Sequence, residues 1–206
     1  MIKTILTLII AYLLGSISTG VVLSRIVTGK DIRGEGSGNI GTTNMLRVLG
    51  RKMALFTFIG DVLKGIVAVL IGKLIVGGEF GGLLGVAGSL LGHTYPVFFR
   101  FRGGKGIATG FGSLLFVFPL EAAAAFALFL LLTYLTHYVS LGSVAAALAL
   151  PTFVMITHFD QPLLFILTYA CGLFVVFNHR SNIKRLLTHT ERKLDFNTLK
   201  KQKKDN

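Results

Sequence analysis

The chain has 206 residues, of which 52% are hydrophobic and only 15% charged, with a formal net charge of +12. A soluble domain of this length needs more charge on its surface, so the composition excludes an ordinary water-soluble globule and indicates an integral membrane protein. All lysines and arginines except Lys3, Lys64 and Lys73 fall in three segments, 25–52, 100–105 and 180–204, and charge placed beside membrane runs disfavours nucleic acid as a partner and favours anionic lipid headgroups.

A spanning helix needs about 20 apolar residues. The first run, Ile5–Leu23, is almost free of charge. Only Lys3 precedes it and no small-x-small cleavage site stands before Arg25, so it reads as a retained helix and not a signal peptide. Two spans, about 53–75 and 82–99, form a hairpin through GGEFGG and return the chain to Arg100. Gly65/Ala68/Gly72 and Gly81/Gly85/Gly88/Gly92 let helices approach closely in lipid. Asp61 and Lys64, one turn apart, are expected to pair. His93, Tyr95 and Pro96 are expected to shape the end of their span. Ile107–Leu135 is long for one crossing and short for two. Pro119 and Glu121 near its middle predict two short helices, about 107–119 and 121–136. A last pair, about 140–157 and 163–178, turns at HFDQP. His137 and His158 flank loops and are expected to be solvated, and the single cysteine, Cys171, is expected to be a buried thiol.

The expectation is an all-α polytopic membrane protein with about seven transmembrane helices, the fourth and fifth short. Basic loops stay in the cytoplasm. All three basic segments then share one side, with the N-terminus outside and the C-terminus cytoplasmic. Residues 1–194 form one integral membrane domain in this reading, and 195–206 a basic cytoplasmic tail.

In GSGNIGTTNMLR, Gly36, Gly38 and Gly41 have the spacing of the dinucleotide fingerprint. That fingerprint needs a strand before it, a helix after it and an acidic residue about 20 positions further on. Asp61 is at that distance but inside a membrane run, so nucleotide binding is rejected. Two readings stay open. The stretch is a backbone anion nest with Ser37, Asn39, Thr42, Thr43 and Asn44 as donors and Arg47 as a charged fork, or a plain loop with Thr42 or Thr43 capping a helix. The second segment, GHTYPVFFRFRGGKGIATGFG, sets Gly103, Gly104, Lys105 and Gly106 directly before a helix starting near Ile107, and helix N-termini attract anions. The third, FNHRSNIKRLLTHTERK, places His179, Arg180, Asn182 and Arg185 below the last span. Three such patches at one membrane face point to one site for a ligand with one phosphate or two. No paired Cys/His ligands are present, and neither metal nor cofactor is expected.

These three stretches resemble the motifs of the bacterial acylphosphate-dependent glycerol-3-phosphate acyltransferases, and the resemblance runs from residue 1 to about 194. Thr188-His189 stands where that family usually shows a glycine. The resemblance implies transfer of a fatty acyl group from acyl phosphate to the 1-hydroxyl of sn-glycerol 3-phosphate, giving lysophosphatidic acid and phosphate. This is the first acylation of phospholipid synthesis, at the cytoplasmic face of a bacterial inner membrane. It also implies functional coupling to an acyl-phosphate-forming enzyme, and a monomer is expected. The acyltransferases that carry HxxxxD are excluded, because no histidine has aspartate five residues later.

In this light Ser37, Asn39 and the amides of Gly36, Gly38 and Gly41 are expected to hold one phosphate. Arg47 and Lys105, with Thr43 and Asn44 nearby and Gly103–Gly104 exposing the helix start, would hold the other. His179 and Asn182 would orient the hydroxyl or stabilise the oxyanion, and Ser140 would close the site. A transporter of a phosphorylated metabolite is the alternative, disfavoured because the polar groups crowd one face.

Overall fold

A backbone that crosses hydrocarbon must satisfy its own hydrogen bonds, which leaves helices or a closed barrel. The computed structural model describes residues 1–194, and the expected tail at 195–206 lies outside the described residues. The regular elements described are all helical: α1 (Ile2–Gly15), α2 (Thr19–Thr28), α3 (Thr42–Ile75), α4 (Gly78–Thr94), α5 (Ile107–Val117), α6 (Pro119–Thr136), α7 (Val139–Thr157), α8 (Pro162–Asn178) and α9 (Arg180–Leu187). Short 3-10 turns occupy Ile32–Gly34 and Val97–Phe99. Five stretches, taking Ile2–Thr28 as one, are long and apolar enough to cross a bilayer, and six if α8 and α9, bent by 59°, make one span. A seventh span needs α5 counted as well, which at 11 residues falls short of crossing length.

Several boundaries differ from those expected. The first helix is broken at Ser16–Ser18, where Ser16 Oγ donates back to Tyr12 O at 2.8 Å. Helix α3 begins earlier than the expected span, and Gly50, at φ 80° and ψ −174°, divides its first two turns from the membrane-crossing part. Those two turns rest on a small core of Val21, Ile32, Ile40, Met45 and Ala54. The α3–α4 hairpin turns at Gly77 and Gly78, so most of GGEFGG is helical. The expected break near Pro119 is present at Phe118, with Pro119 at the first position of α6, where a missing N–H leaves no bond unmade.

Helix α4 is wedged between α1 and α3, and glycine makes this possible. A side chain at Gly85 would meet the backbone of Ala68 and Val69, and one at Gly92 the backbone of Tyr12 and Ser16. The main core lies among α3 to α8 and includes Val86, Leu90, Phe118, Ala122, Val154 and Cys171. Helix α5 rises about 16 Å and α6 about 27 Å at 1.5 Å per residue. Measured from their shared corner at Phe118, α5 therefore starts nearer the corner than α6 ends, deeper in the bundle. The loop feeding α5 enters the bundle, with Gly104 and Gly106 buried and Lys105 half-buried.

His158 is not fully solvated as expected. It packs edge-on against Phe118 and lies 3.8 Å from the buried Glu121, which accepts from Thr157 Oγ1 at 2.6 Å.

Candidate functional site

The loop before α3 is folded by its own polar groups. Gly36 and Gly38 have φ of +62° and +73°, conformations that glycine adopts freely. Asn44, 1% exposed, accepts from the Ser37 N–H at 2.8 Å and donates to the carbonyls of Glu35 and Asn39 at 3.1 and 2.8 Å. The Gly38 N–H donates to Glu35 O and the Gly41 N–H to Asn39 Oδ1. The expected nest of open amides is therefore corrected. The Ser37, Gly38 and Gly41 donors and the Asn44 side chain are committed within the loop, because a buried turn must satisfy its own polar groups. The loop instead presents the N-terminus of α3. Gly41 is its N-cap, and the Thr42 hydroxyl is buried there without a partner among the described residues.

The second segment approaches from α4. The Gly103 N–H donates to Thr94 O at 3.1 Å and the Gly104 N–H to His93 O at 3.0 Å, so the loop hangs on the end of α4. The Lys105 ammonium then reaches α9, where it donates to Asn182 Oδ1. The Asn182 amide donates to Glu191 Oε1 at 2.7 Å, and partners of opposite kind on its two sides fix its orientation.

Glu191 is the centre of the third segment. Its carboxylate also accepts from Ser140 Oγ at 2.9 Å and Arg185 Nε at 2.6 Å. Arg192 donates to Gly36 O at 3.3 Å, and the Leu194 N–H to His137 O at 2.7 Å. Residues 191–194 therefore strap the third segment to the first. Burial pulls the Lys105 ammonium down to about 8, with Glu191 opposing and Arg185 and Arg47 adding to the fall. At Glu191 burial works to raise the pKa but is outweighed by hydrogen bonds from Asn182, Arg185 and Ser140, which hold it below the usual carboxylate range.

These groups surround a cavity of about 570 Å³. Its lining includes Gly36, Ser37, Gly38, Asn39, Gly41, Thr43, Asn44, Arg47, Lys105, Ser140, His179 and Asn182. Gly103 and Gly104 do not line it; they stand behind Lys105, against His93. Arg180, named with the third patch, is exposed over the Phe177 ring at 4.5 Å. Polar lining residues that sequence reasoning left out of the site are Ser143, Ser181, Glu191 and Arg192, together with Asp61 and His93, which it read as structural parts of their spans. Arg185, named with the third patch, and Thr42, named as a donor of the first, both line the cavity. Glu191 and Arg192 had only their sequence neighbourhood.

His179 is buried at the α8–α9 bend, and its Nδ1–H donates to Val175 O at 2.8 Å. A carbonyl can only accept, so in the neutral ring Nε2 carries the lone pair. Arg47, Lys105, Arg185 and Arg192 outnumber the single carboxylate, Glu191, at this end of the cavity. Deeper in, Ile107, Phe111, Phe126 and Phe129 line both the cavity and an apolar groove that continues along Ala122, Ala125, Ala146 and Leu150. The space can hold anionic headgroups at one end and a hydrocarbon tail at the other.

A family model described as glycerol-3-phosphate acyltransferase matches residues 5–189. The chain is 48% identical over 185 residues to the glycerol-3-phosphate acyltransferase of Syntrophotalea carbinolica, covering 89% of this chain and 94% of the relative. To that of Thermoanaerobacter pseudethanolicus it is 46% identical over 192 residues, covering 92% and 95%. Among solved structures it resembles PlsY (YgiH), an integral membrane glycerol 3-phosphate acyltransferase, in two forms. The glycerol 3-phosphate form matches with a TM-score of 0.86 and 38% identity, over 93% of this chain and 96% of the other. The lysophosphatidic acid form matches with a TM-score of 0.83 and 37% identity, over 93% and 95%.

Proposed function

The chain belongs to the glycerol-3-phosphate acyltransferase family and is an integral membrane acyltransferase, and on that premise we propose that it moves a fatty acyl group from acyl phosphate to the 1-hydroxyl of sn-glycerol 3-phosphate. The products are lysophosphatidic acid and inorganic phosphate. The observation that carries this reading is the junction of the cation-rich cavity with the apolar groove at Ile107, Phe111, Phe126 and Phe129. An acyl phosphate needs both environments, and its reactive carbonyl falls at their boundary.

In the reaction the 1-hydroxyl oxygen attacks the acyl carbonyl carbon. The bond from that carbon to the phosphate oxygen breaks, and phosphate leaves with the electron pair and takes up the hydroxyl proton. Phosphate is already a good leaving group, so positioning and charge stabilisation supply most of what the protein must add. Lys105 and Arg47 hold the phosphate of glycerol 3-phosphate. The Ser37, Thr42 and Thr43 hydroxyls and the start of α3 take that of the donor. Asn182, fixed between Lys105 and Glu191, and His179, through Nε2, orient the hydroxyl. With the loop that enters the bundle making up the part of the crossing that α5 is too short to cover, the chain traverses the bilayer seven times in this reading, and the positive-inside rule argues for the cavity and the C-terminus on the cytoplasmic side and the N-terminus outside.

The test uses purified protein in lipid with labelled glycerol 3-phosphate, comparing palmitoyl phosphate with palmitoyl-CoA for wild type and Lys105→Ala. Labelled lysophosphatidic acid from palmitoyl phosphate only, lost in the variant, is the expected result. Product from the CoA donor alone refutes the donor assignment. No product from either, with label taken up into vesicles, would mean transport.

A further inference from the structure

On the wall of the cavity, at Asp61 and His93, lies a buried cluster to which the proposed reaction assigns no role. Asp61 and Lys64 on α3 and His93 on α4 have side chains 3%, 6% and 3% exposed. The Lys64 ammonium is 2.8 Å from Asp61 Oδ1, 2.8 Å from Ile17 O and 2.9 Å from His93 Nδ1. An ammonium has three N–H donors and no lone pair, so these three acceptors saturate it. His93 Nδ1 must then be the nitrogen with the lone pair, and the ring proton sits on Nε2.

That edge of the ring has a definite neighbour. A methyl group built on Gly104 would strike Nε2 while lying 3.1 Å from both Cδ2 and Cε1. The flanking carbons are equally far and clearly farther than Nε2, which puts it outward of the ring edge at Nε2 and not over the ring face. The Nε2 edge of the ring therefore packs against the Gly104 α-carbon, and the His93 carbonyl accepts the Gly104 N–H. The residue before Lys105 is held by His93 from two sides.

Stability alone is a weak reason for this cluster, because a buried ion pair is often no better than well-packed apolar residues. It also requires the α1–α2 break, which frees the Ile17 carbonyl that Lys64 uses. We propose that Asp61, Lys64 and His93 are positioning residues that lock the His93 ring against the Gly103–Gly104 loop and so hold the Lys105 ammonium at the phosphate site. The inference rests on the reading of Lys105 as a phosphate ligand.

Two substitutions at His93 separate the two ring nitrogens. Asparagine sets its side-chain oxygen near the place of Nδ1 and keeps an acceptor for Lys64. Glutamine sets its amide N–H near the place of Nε2 and keeps the contact with Gly104. KM for glycerol 3-phosphate, KM for palmitoyl phosphate, kcat and the melting temperature in detergent are measured for both. The double variant Asp61→Leu/Lys64→Met, which removes both buried charges together, and Lys105→Ala are measured beside them.

His93→Asn is expected to melt like wild type and to raise KM for glycerol 3-phosphate about tenfold, the loss of roughly one charge-assisted hydrogen bond. His93→Gln is expected to stay closer to wild type in KM. The double variant is expected to keep its melting temperature and to show the same rise in KM. The inference is overturned if His93→Asn is the better tolerated of the two in KM, or if the double variant keeps wild-type KM. It is overturned as well if each loss of activity comes with an equal loss of melting temperature. If Lys105→Ala raises KM while the His93 and double variants do not, only the positioning role fails. An unchanged KM in Lys105→Ala overturns the reading of Lys105 itself, and the inference with it.

Discussion

Replacing Glu191 by glutamine tests the strap across the site. The carboxylate accepts from Ser140, Asn182 and Arg185, and its side chain is 8% exposed. Glutamine keeps one oxygen, which can still accept from Ser140 and Asn182. Its amide nitrogen then faces Arg185 Nε, donor against donor. The loss is one charge-assisted hydrogen bond, about 1.5–3 kcal/mol. Arg185 is 42% exposed and can turn to water, which favours the lower end. If the loss is felt through Asn182 at the reacting hydroxyl, kcat/KM falls roughly tenfold, since 1.36 kcal/mol is a factor of ten. A second effect has a fixed sign. Glu191 opposes the fall in the Lys105 pKa caused by burial. Without its charge Lys105 deprotonates at still lower pH, so the alkaline decline of activity moves below its wild-type position. The assay is kcat/KM for glycerol 3-phosphate with palmitoyl phosphate from neutral to alkaline pH, for wild type, Glu191→Gln and Glu191→Ala. Glutamine with kcat/KM within twofold of wild type and an unmoved alkaline decline would refute both the strap and its electrostatic role.

The wild-type enzyme itself should show a pH dependence set by Lys105. With burial pulling its ammonium down to about 8, the charged form dominates below that value and is lost above it, so KM for glycerol 3-phosphate should rise as pH passes through 8; Lys105→Arg should abolish that rise. Asn44→Ala should lower stability by about 3 kcal/mol, because it orphans the Ser37 N–H and the Glu35 and Asn39 carbonyls, partly buried groups at the low end of about 1–3 kcal/mol each, and should be seen as a lower melting temperature in detergent. Gly104→Ala should cut activity sharply, because its methyl enters the space of His93 Nε2, and His93→Ala should partly restore it in the double variant. Ala146→Phe, on the wall of the groove, should shift preference toward shorter acyl phosphates, measured with a donor chain-length series.

What the sequence could and could not disclose follows from the range of each interaction. The Asp61–Lys64 pair, three residues apart on one helix, and the break at Pro119 are local, and local spacing expresses them directly. Lys105 and His179 were readable because each sits where an apolar run meets a basic, glycine-rich or polar stretch. Glu191 was not. Its partner Ser140 is 51 positions away, and a lone carboxylate among basic residues has no periodicity to mark its role. The α1–α2 break is of the same kind. Ser-Ile-Ser within an apolar run is compatible with a continuous helix, and the reason for interrupting it lies on Lys64, 47 residues on.

The glycines and alanines fail differently, because one property of the residue serves opposite ends. Gly36 and Gly38 suggested open amides for an anion, yet their left-handed φ values serve a turn whose donors Asn44 and its neighbours consume. Small residues on α4 let backbones touch, and a side chain at Gly85 or Gly92 would meet backbone. Ala122, Ala125, Ala146 and Ala147 on α6 and α7 border the groove. Smallness permits both close contact and open space, and only the position of the facing helix decides between them. That position is set by the Phe118 corner, which starts α5 deep in the bundle and brings Gly106 to the meeting point of cavity and groove. The apolar groove is thus a consequence of helix lengths and not of any motif, which is why three motifs point to the cation-rich end of the space and leave the apolar end unmarked.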